Sequence, residues 1–363
     1  MKCNGVDYFL SHSFDFYVYL SAKITTCYLG CHFSSLEYIG GFSIMSKNRL
    51  VIVGVGNVGS AVLNRAIAFE LASEIVLIDI NEKKAIGEAL DAEHSTPCNY
   101  SANIRVRAGS YEDCKDARLI IIAAGTGTIN GKLIQDRLLL AEYSIGIIKD
   151  VMTGITTYTK DVPIIMITNP LDVTTYLAAN FFDYPEYKLF GTGTTLETHR
   201  FKRIVANHYN VDAKDVQGYM LGEHGNSAFP AWSTLSIGGM RADRLDEYFS
   251  PSNPLDRNFV EEEVVKTAFD VLNFKGYTNY GIAMGACRLA KAVLWNERSV
   301  LPVSTTIRGA YGLTDVSLSL PSIITEDGVE RVLEIPLTDQ ELEKLQFSAN
   351  SIKNVLQSNK LIK

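Results

Sequence analysis

LVIVGVGNVGSAVLNRAIAFELASEIVLID, residues 50–79, joins two short apolar runs through a glycine-rich turn and an alanine-bearing stretch. Leu50–Val53 and Ile75–Ile78 are uninterrupted by polar residues, the pattern of strands buried on both faces of a parallel sheet. Between them lie Gly54-Val55-Gly56-Asn57-Val58-Gly59 and then Ser60–Leu71, which has helical spacing. The first glycine suits a tight turn, the second lets a pyrophosphate approach the backbone, and the third allows close helix–strand packing. The helix start offers free N–H groups and a positive dipole end to phosphates. Asp79 stands twenty residues beyond Gly59. There a carboxylate accepts hydrogen bonds from adenosine ribose hydroxyls and repels a 2′-phosphate, which favours NAD over NADP. A bare G-x-G-x-x-G is a weak signal; set between strand and helix, with the acid at this distance, it is a strong one.

The same rhythm continues outward. Leu119–Ala123 ends in Ala124-Gly125-Thr126, and Ile164–Ile167 ends in Thr168-Asn169-Pro170. Ligands of open parallel sheets gather at the carboxyl ends of strands, so these ends and the glycine turn point to one crevice. The expected fold is α/β: a doubly wound Rossmann sheet over residues 45–190, then a mixed α/β substrate domain over 191–363.

Composition narrows the function. Net charge is −7, with 47% hydrophobic and 21% charged residues, which disfavours nucleic acid or an anionic membrane as the main partner. No apolar run approaches the roughly 18 residues that span a bilayer. The six cysteines lack a disulfide-framework spacing and read as reduced thiols of a cytoplasmic protein. Residues 1–44 differ in texture: rich in Phe, Tyr and Cys, without sustained periodicity, and without a clean signal-peptide core. They read as an extension, disordered or translated from upstream of a natural start at Met45. Cys27, Cys31 and His32 lack a fourth ligand at metal-site spacing, so no metal is expected.

Three segments carry chemistry: Gln135-Asp136-Arg137, Gly191-Thr192-Gly193-Thr194-Thr195-Leu196-Glu197-Thr198-His199-Arg200, and Leu221-Gly222-Glu223-His224-Gly225-Asn226-Ser227. With "GYMLGEHGNSAFPAWST" and "VLNFKGYTNYGIA", the chain from about Met45 resembles the L-lactate/malate dehydrogenase family, and within it the bacterial L-lactate and L-2-hydroxyisocaproate dehydrogenases. The resemblance implies NAD-dependent hydride exchange with a small 2-oxo or 2-hydroxy monocarboxylic acid, in a homotetramer. His224 matches the proton-transferring histidine, suited to both directions because its pKa lies near neutrality. Glu197 stands where the family usually has Asp, the carboxylate that orients the imidazole. Arg200 matches the arginine that forks onto the substrate carboxylate, and Arg137 the mobile-loop arginine that polarises the carbonyl. Asn169 and Thr278 match substrate- and nicotinamide-side contacts. Lys84 and Tyr111 match positions beside the adenosine, and Gly125 and Thr126 match backbone passing beneath the nicotinamide ribose.

Departures from the family pattern are informative. Thr126–Asp136 is longer than the usual loop and contains no arginine, which argues against malate. Ile129 and Leu133 there suit a larger apolar substrate, whereas Thr267-Ala268 is bulkier than the paired glycines of the hydroxyisocaproate branch. Lys202 and Gln217 occupy the positions of an arginine and a histidine that hold fructose 1,6-bisphosphate in many bacterial relatives, so no activation by that sugar is expected. The alternatives are a malate dehydrogenase and a catalytically inactive NAD-binding protein.

Overall fold

Strands β1 (Arg49–Val53), β2 (Glu74–Ile78), β3 (Arg105–Ala108), β4 (Leu119–Ile122), β5 (Ile164–Met166) and β6 (Leu189–Gly191) pair in parallel, in the order β3-β2-β1-β4-β5-β6. The computed structural model describes residues 48–97, 102–126, 128–129, 132–133 and 137–363. The expectations for residues 1–44, for Cys27, Cys31 and His32, and for Gln135 and Asp136 lie outside the described residues.

The strand order reverses between β1 and β4, which opens a crevice at their carboxyl ends. The crossovers use helices α1 (Asn57–Ala68), α2 (Glu82–Ser95), α3 (Arg137–Thr156) and α4 (Leu171–Phe181). Beyond β6 the same sheet continues antiparallel through β7 (Ser299–Thr306), β8 (Ser317–Thr325) and β9 (Gly328–Val332), nine strands in all. Helices α5 (Thr195–Tyr209), α6 (Leu245–Phe249), α7 (Arg257–Lys275), α8 (Tyr280–Leu294) and α9 (Asp339–Ser358), with short antiparallel pairs, complete the second half.

The period of two along each strand divides the core. Val51, Val53, Ile120, Ile122, Ile164 and Met166 point to a cluster shared with α3, α4 and α9. Leu50, Ile52, Ile75, Leu77, Ile121 and Ile165 point to the opposite cluster, shared with α1, α2 and α8. Full burial of each such side chain contributes about 1.5–3 kcal/mol. Both faces being covered explains why the inner strands read as continuous apolar runs.

Element boundaries differ from the sequence reading at several places, and three of the shifted starts have a physical reason. β1 and β2 begin one residue early, at Arg49 and Glu74, because these charged residues neutralise each other: Arg49 Nε donates to Glu74 Oε2 at 2.8 Å. Helix α1 begins at Asn57 instead of Ser60, so the glycine turn runs straight into the helix.

Helix α8 ties the halves together. Its small residues allow close approach: a Cβ on Gly281 would sit 2.7 Å from Leu196 of α5, and one on Gly285 3.3 Å from Thr195. On its other side the Cys287 thiol reaches the Val62 carbonyl of α1 at 3.7 Å. The residues just before α8 are thereby brought to the rim of the crevice. Among the described residues no helix is long and apolar enough to cross a membrane.

Candidate active site

At the cofactor end, the three glycines differ in what a side chain would meet. Gly54 has φ +90°, and a Cβ there would lie 2.5 Å from the Ala124 backbone. A Cβ on Gly59 would lie 1.9 Å from the Gly54 carbonyl oxygen, so α1 can approach the turn only with glycine there. Gly56 has nothing within 4 Å. The turn is thus closed on the protein side and open toward the crevice, a cradle whose open face is the one a phosphate needs. Gly56 is the N-cap of α1, with no side-chain cap and no acid in the first turn. Asn57 is exposed, and the half-buried Val58 packs against the core.

Asp79 holds the turn in place: its Oδ2 accepts from Val55 N–H at 2.8 Å and its Oδ1 from Asn81 N–H at 2.9 Å. A cleft of about 400 Å³ follows, lined by Gly56, Asn57, Ser60, Lys84, Asn279 and Tyr280 among others. Lys84 therefore lies beside the turn. Tyr111 is half-buried, with its ring so close that a Cβ on Gly154 of α3 would meet it at 2.5 Å. Burial, then the nearby charges including Asp79, raises its phenol pKa.

The strand ends meet next. Thr168 Oγ1 donates to the Ala124 carbonyl at 2.6 Å, joining the ends of β5 and β4. A Cβ on Gly125 would lie 3.0 Å from the Thr168 methyl, and Gly125 itself is exposed. Thr126, which follows, is half-buried. The Asn169–Pro170 peptide is cis; the Asn169 carbonyl accepts from Ser144 Oγ at 2.6 Å while its side chain stays exposed. Thr278 lies half-buried between α7 and α8, next to Asn279, which caps α8 by accepting from Tyr280 N–H at 2.8 Å. Arg137 is the first residue of α3, and its side chain lies outside those described.

The titratable centre is built from α5 and the loop after Leu221. Glu197 and Arg200 stand one turn apart on α5, so both side chains share a face. His224 Nδ1 bonds Glu197 Oε2 at 3.0 Å, and Arg200 Nη1 reaches Glu197 Oε1 at 3.5 Å. Among the described residues nothing hydrogen-bonds His224 Nε2. Burial alone would depress the His224 imidazolium, but the Glu197 carboxylate outweighs it and raises the pKa above its usual value. Burial likewise works against Glu197 ionisation, yet His224 and Arg200 hold its carboxyl below the usual range. Desolvation lowers the pKa of Arg200, opposed by Glu197. The arrangement can carry a proton at Nε2 and hold an anion beside it.

Sequence reasoning passed over four residues here. Asp172 on α4 accepts the His224 backbone N–H at 2.8 Å and the Ser304 hydroxyl at 2.6 Å. Ser348 of α9 accepts the Glu223 N–H at 2.6 Å. An acid between the apolar Leu171 and Val173 at the start of α4 was the available signal for Asp172; nothing comparable marks the two serines. The fourth is Asn279, whose place in the cleft follows from the packing of α8.

Residues 48–191 match the family model described as lactate/malate dehydrogenase, NAD binding domain, and residues 194–361 that described as lactate/malate dehydrogenase, alpha/beta C-terminal domain. The chain is 51% identical over 311 residues to an L-lactate dehydrogenase of Selenomonas ruminantium, covering 86% of this chain and 98% of that protein. It is 50% identical over 310 residues to L-lactate dehydrogenase 2 of Clostridium acetobutylicum, covering 85% and 97%. Among solved structures, it resembles the minor L-lactate dehydrogenase of Enterococcus mundtii in its ligands-bound form, with TM-score 0.81, 36% identity, and 86% and 98% coverage.

Proposed function

Because the chain belongs to the lactate/malate dehydrogenase family and is an NAD-dependent oxidoreductase of small 2-hydroxy acids, we propose that it interconverts pyruvate and L-lactate. The observation that carries the reading is the 3.0 Å His224–Glu197 bond with Arg200 one helical turn away. NAD binds along Gly54, Gly56, Asn57, Val58 and Gly59, with Asp79 toward the adenosine ribose, Lys84 and Tyr111 beside the adenosine, and Gly125, Thr126 and Asn169 toward the nicotinamide. The reduced nicotinamide supplies the hydride.

Arg200 binds the substrate carboxylate through its planar, bidentate donor face. Desolvation strengthens that attraction, because in low dielectric the guanidinium has little water to give up to a competing anion. His224 then delivers the proton at Nε2 to the substrate oxygen, and withdraws it in the reverse direction. Glu197 steadies the imidazolium through Nδ1. Arg137 polarises the carbonyl as its segment closes, while Asn169 and Thr278 orient the substrate and nicotinamide sides.

The raised His224 pKa sets the direction of the pH response. Reduction uses the protonated imidazole and weakens as pH rises through that pKa; oxidation uses the neutral form and strengthens there. The names of the half-identical relatives favour pyruvate over branched acids, and the loop without arginine favours a monocarboxylate over oxaloacetate. A homotetramer in the cytoplasm completes the proposal. The test is NADH oxidation by the chain starting at Met45, comparing kcat/KM for pyruvate, 4-methyl-2-oxopentanoate and oxaloacetate. Preference for the branched acid would move the reading to the hydroxyisocaproate type, giving Ile129 and Leu133 a role. Preference for oxaloacetate would overturn it.

A further inference from the structure

The loop that presents His224 has its successive backbone donors taken by three different elements. Gly222 N–H donates to the Ser319 carbonyl of β8 at 3.0 Å, Glu223 N–H to Ser348 Oγ of α9 at 2.6 Å, and His224 N–H to Asp172 Oδ2 of α4 at 2.8 Å. The first two bonds end on neutral partners. The third ends on a carboxylate with only 3% of the residue exposed, whose other oxygen accepts from the buried Ser304 hydroxyl at 2.6 Å. A buried carboxylate is costly unless both oxygens are bonded, and here both bonds serve to hold it against the histidine.

We propose that Asp172, braced by Ser304, is a positioning residue for His224. It sets the height of the imidazole over the crevice through the backbone N–H and contributes negative charge behind the ring. The proposal rests on His224 being the proton-transferring group.

The geometry gives Asp172 two effects that can be separated. As an acceptor it fixes the backbone of the residue that must meet the substrate oxygen within a fraction of an ångström. As a charge it joins Glu197 on α5 and opposes Arg200 on α5, the charged groups that act on the imidazole, while Glu223 on the loop itself acts on Asp172. Burial, then the neighbouring Glu223, pushes the Asp172 carboxyl up to about 7. Part of its charge is therefore withdrawn as pH falls through neutrality. Asn169 lies three residues earlier, just before the Pro170 N-cap of α4, so the histidine's anchor follows directly on the substrate-side amide in the chain.

The experiment is steady-state NADH oxidation with pyruvate across the neutral pH range, alongside NADH affinity by fluorescence, for Asp172→Ala, Asp172→Asn and Ser304→Ala. Asp172→Ala removes both acceptors and is expected to lower kcat about 30-fold with NADH affinity unchanged. Asp172→Asn keeps an oxygen for the His224 N–H and an amide for Ser304, so kcat returns to within about threefold of the parent. In both variants the pKa governing kcat/KM falls, because a negative charge facing the imidazole is gone. A rescue by Asn with a lowered pKa separates positioning from generic stabilisation. Parental kcat and pKa in Asp172→Ala, or an Asn variant as slow as Ala, would overturn the proposal. Should Asp172→Ala not fold, Ser304→Ala decides: a kcat about threefold lower with a lower pKa supports the brace, and a parental profile overturns it. Parent and His224→Ala run in parallel. An inactive parent, or an active His224→Ala, refutes the functional reading; an active parent with an inactive histidine variant confines any failure to Asp172.

Discussion

Two largely buried charge clusters in this chain differ in how completely they are closed. At the start of the sheet, Arg49, Glu74, Arg107 and Asp113 form a ring of two cations and two anions, with the exposed Asp116 at its edge 3.8 Å from Arg49. Glu74 accepts from Arg49 at 2.8 Å and from Arg107 at 2.9 Å, Arg107 and Asp113 pair bidentately, and Arg49 reaches Asp113 at 3.5 Å. Burial resists ionisation of Glu74 and Asp113, yet the arginines hold both carboxyls below the usual range. In the crevice, by contrast, two carboxylates, Glu197 and Asp172, act on one histidine beside one arginine. Arg200 touches Glu197 only at 3.5 Å, and Asp172 is pushed up to about 7. A closed ring has nothing left to offer a ligand. An arginine held loosely, next to an imidazole bonded on one nitrogen, can still bind an anion and move a proton.

The comparison makes predictions that differ in kind. The largest effect belongs to the open cluster. His224→Ala is expected to lower kcat about 1,000-fold or more while NADH affinity is retained, the range typical of losing a positioned acid–base. Arg200→Leu removes the substrate anchor and lowers kcat/KM by about 3 kcal/mol equivalent, seen mainly in KM. If either variant instead unfolded the protein, the crevice cluster would be structural like the other.

The closed cluster behaves the opposite way. Glu74→Gln leaves two arginines facing a neutral amide and is expected to cost about 3 kcal/mol of stability, read as a lower urea midpoint, with kcat unchanged at low temperature. Its pH signature has a defined sign. The folded pKa of Glu74 is depressed, so its stabilisation is present above the unfolded value of 4.5 and is lost as pH falls through the lower folded value. The Gln variant should lack that acid-side decline. A variant of parental stability would mean the ring is ornamental.

What could be read in the sequence follows the same division. The glycine turn and Asp79 were legible because their chemistry is written in residue type and short spacing, whereas the roles expected of Glu197, Arg200 and His224 came through the family resemblance. The structure brings the last three within hydrogen-bond or ion-pair distance across 27 residues of chain. Arg49 and Glu74 were left outside their strands, since a charge beside an apolar run reads as exposed until its partner is known, and that partner lies 25 residues away. Asp172 and Ser348 act on backbone N–H groups of a distant loop, an interaction that leaves no trace in spacing. The early start of α1 at Asn57 was missed because the glycines were read as loop, although Gly59 sits inside the helix to let it approach the turn.

A smaller effect probes the carboxylate that the crevice shares. Glu197→Asp shortens the arm, and on this backbone it draws the carboxylate away from both His224 and Arg200. The expected result is a lower His224 pKa and a kcat/KM reduced about tenfold, measured as a shift of the pH profile toward acid. A faster Asp variant would show that α5 tolerates either length and that Glu197 contributes no geometric tuning.

The smallest predicted effect is none. Lys202 lies on α5 two residues beyond Arg200, half-buried, and burial lowers the pKa of its ammonium. Gln217 is exposed, and its amide donates to the Lys214 carbonyl at 3.4 Å. A bisphosphate would find one partly desolvated cation and a neutral amide, too little charge to repay removing two phosphates from water. Fructose 1,6-bisphosphate at saturating level should therefore leave the pyruvate saturation curve where it was. A large leftward shift would show that Lys202, like Arg200, is held open for an anion, and that α5 carries a regulatory site two residues from the substrate anchor.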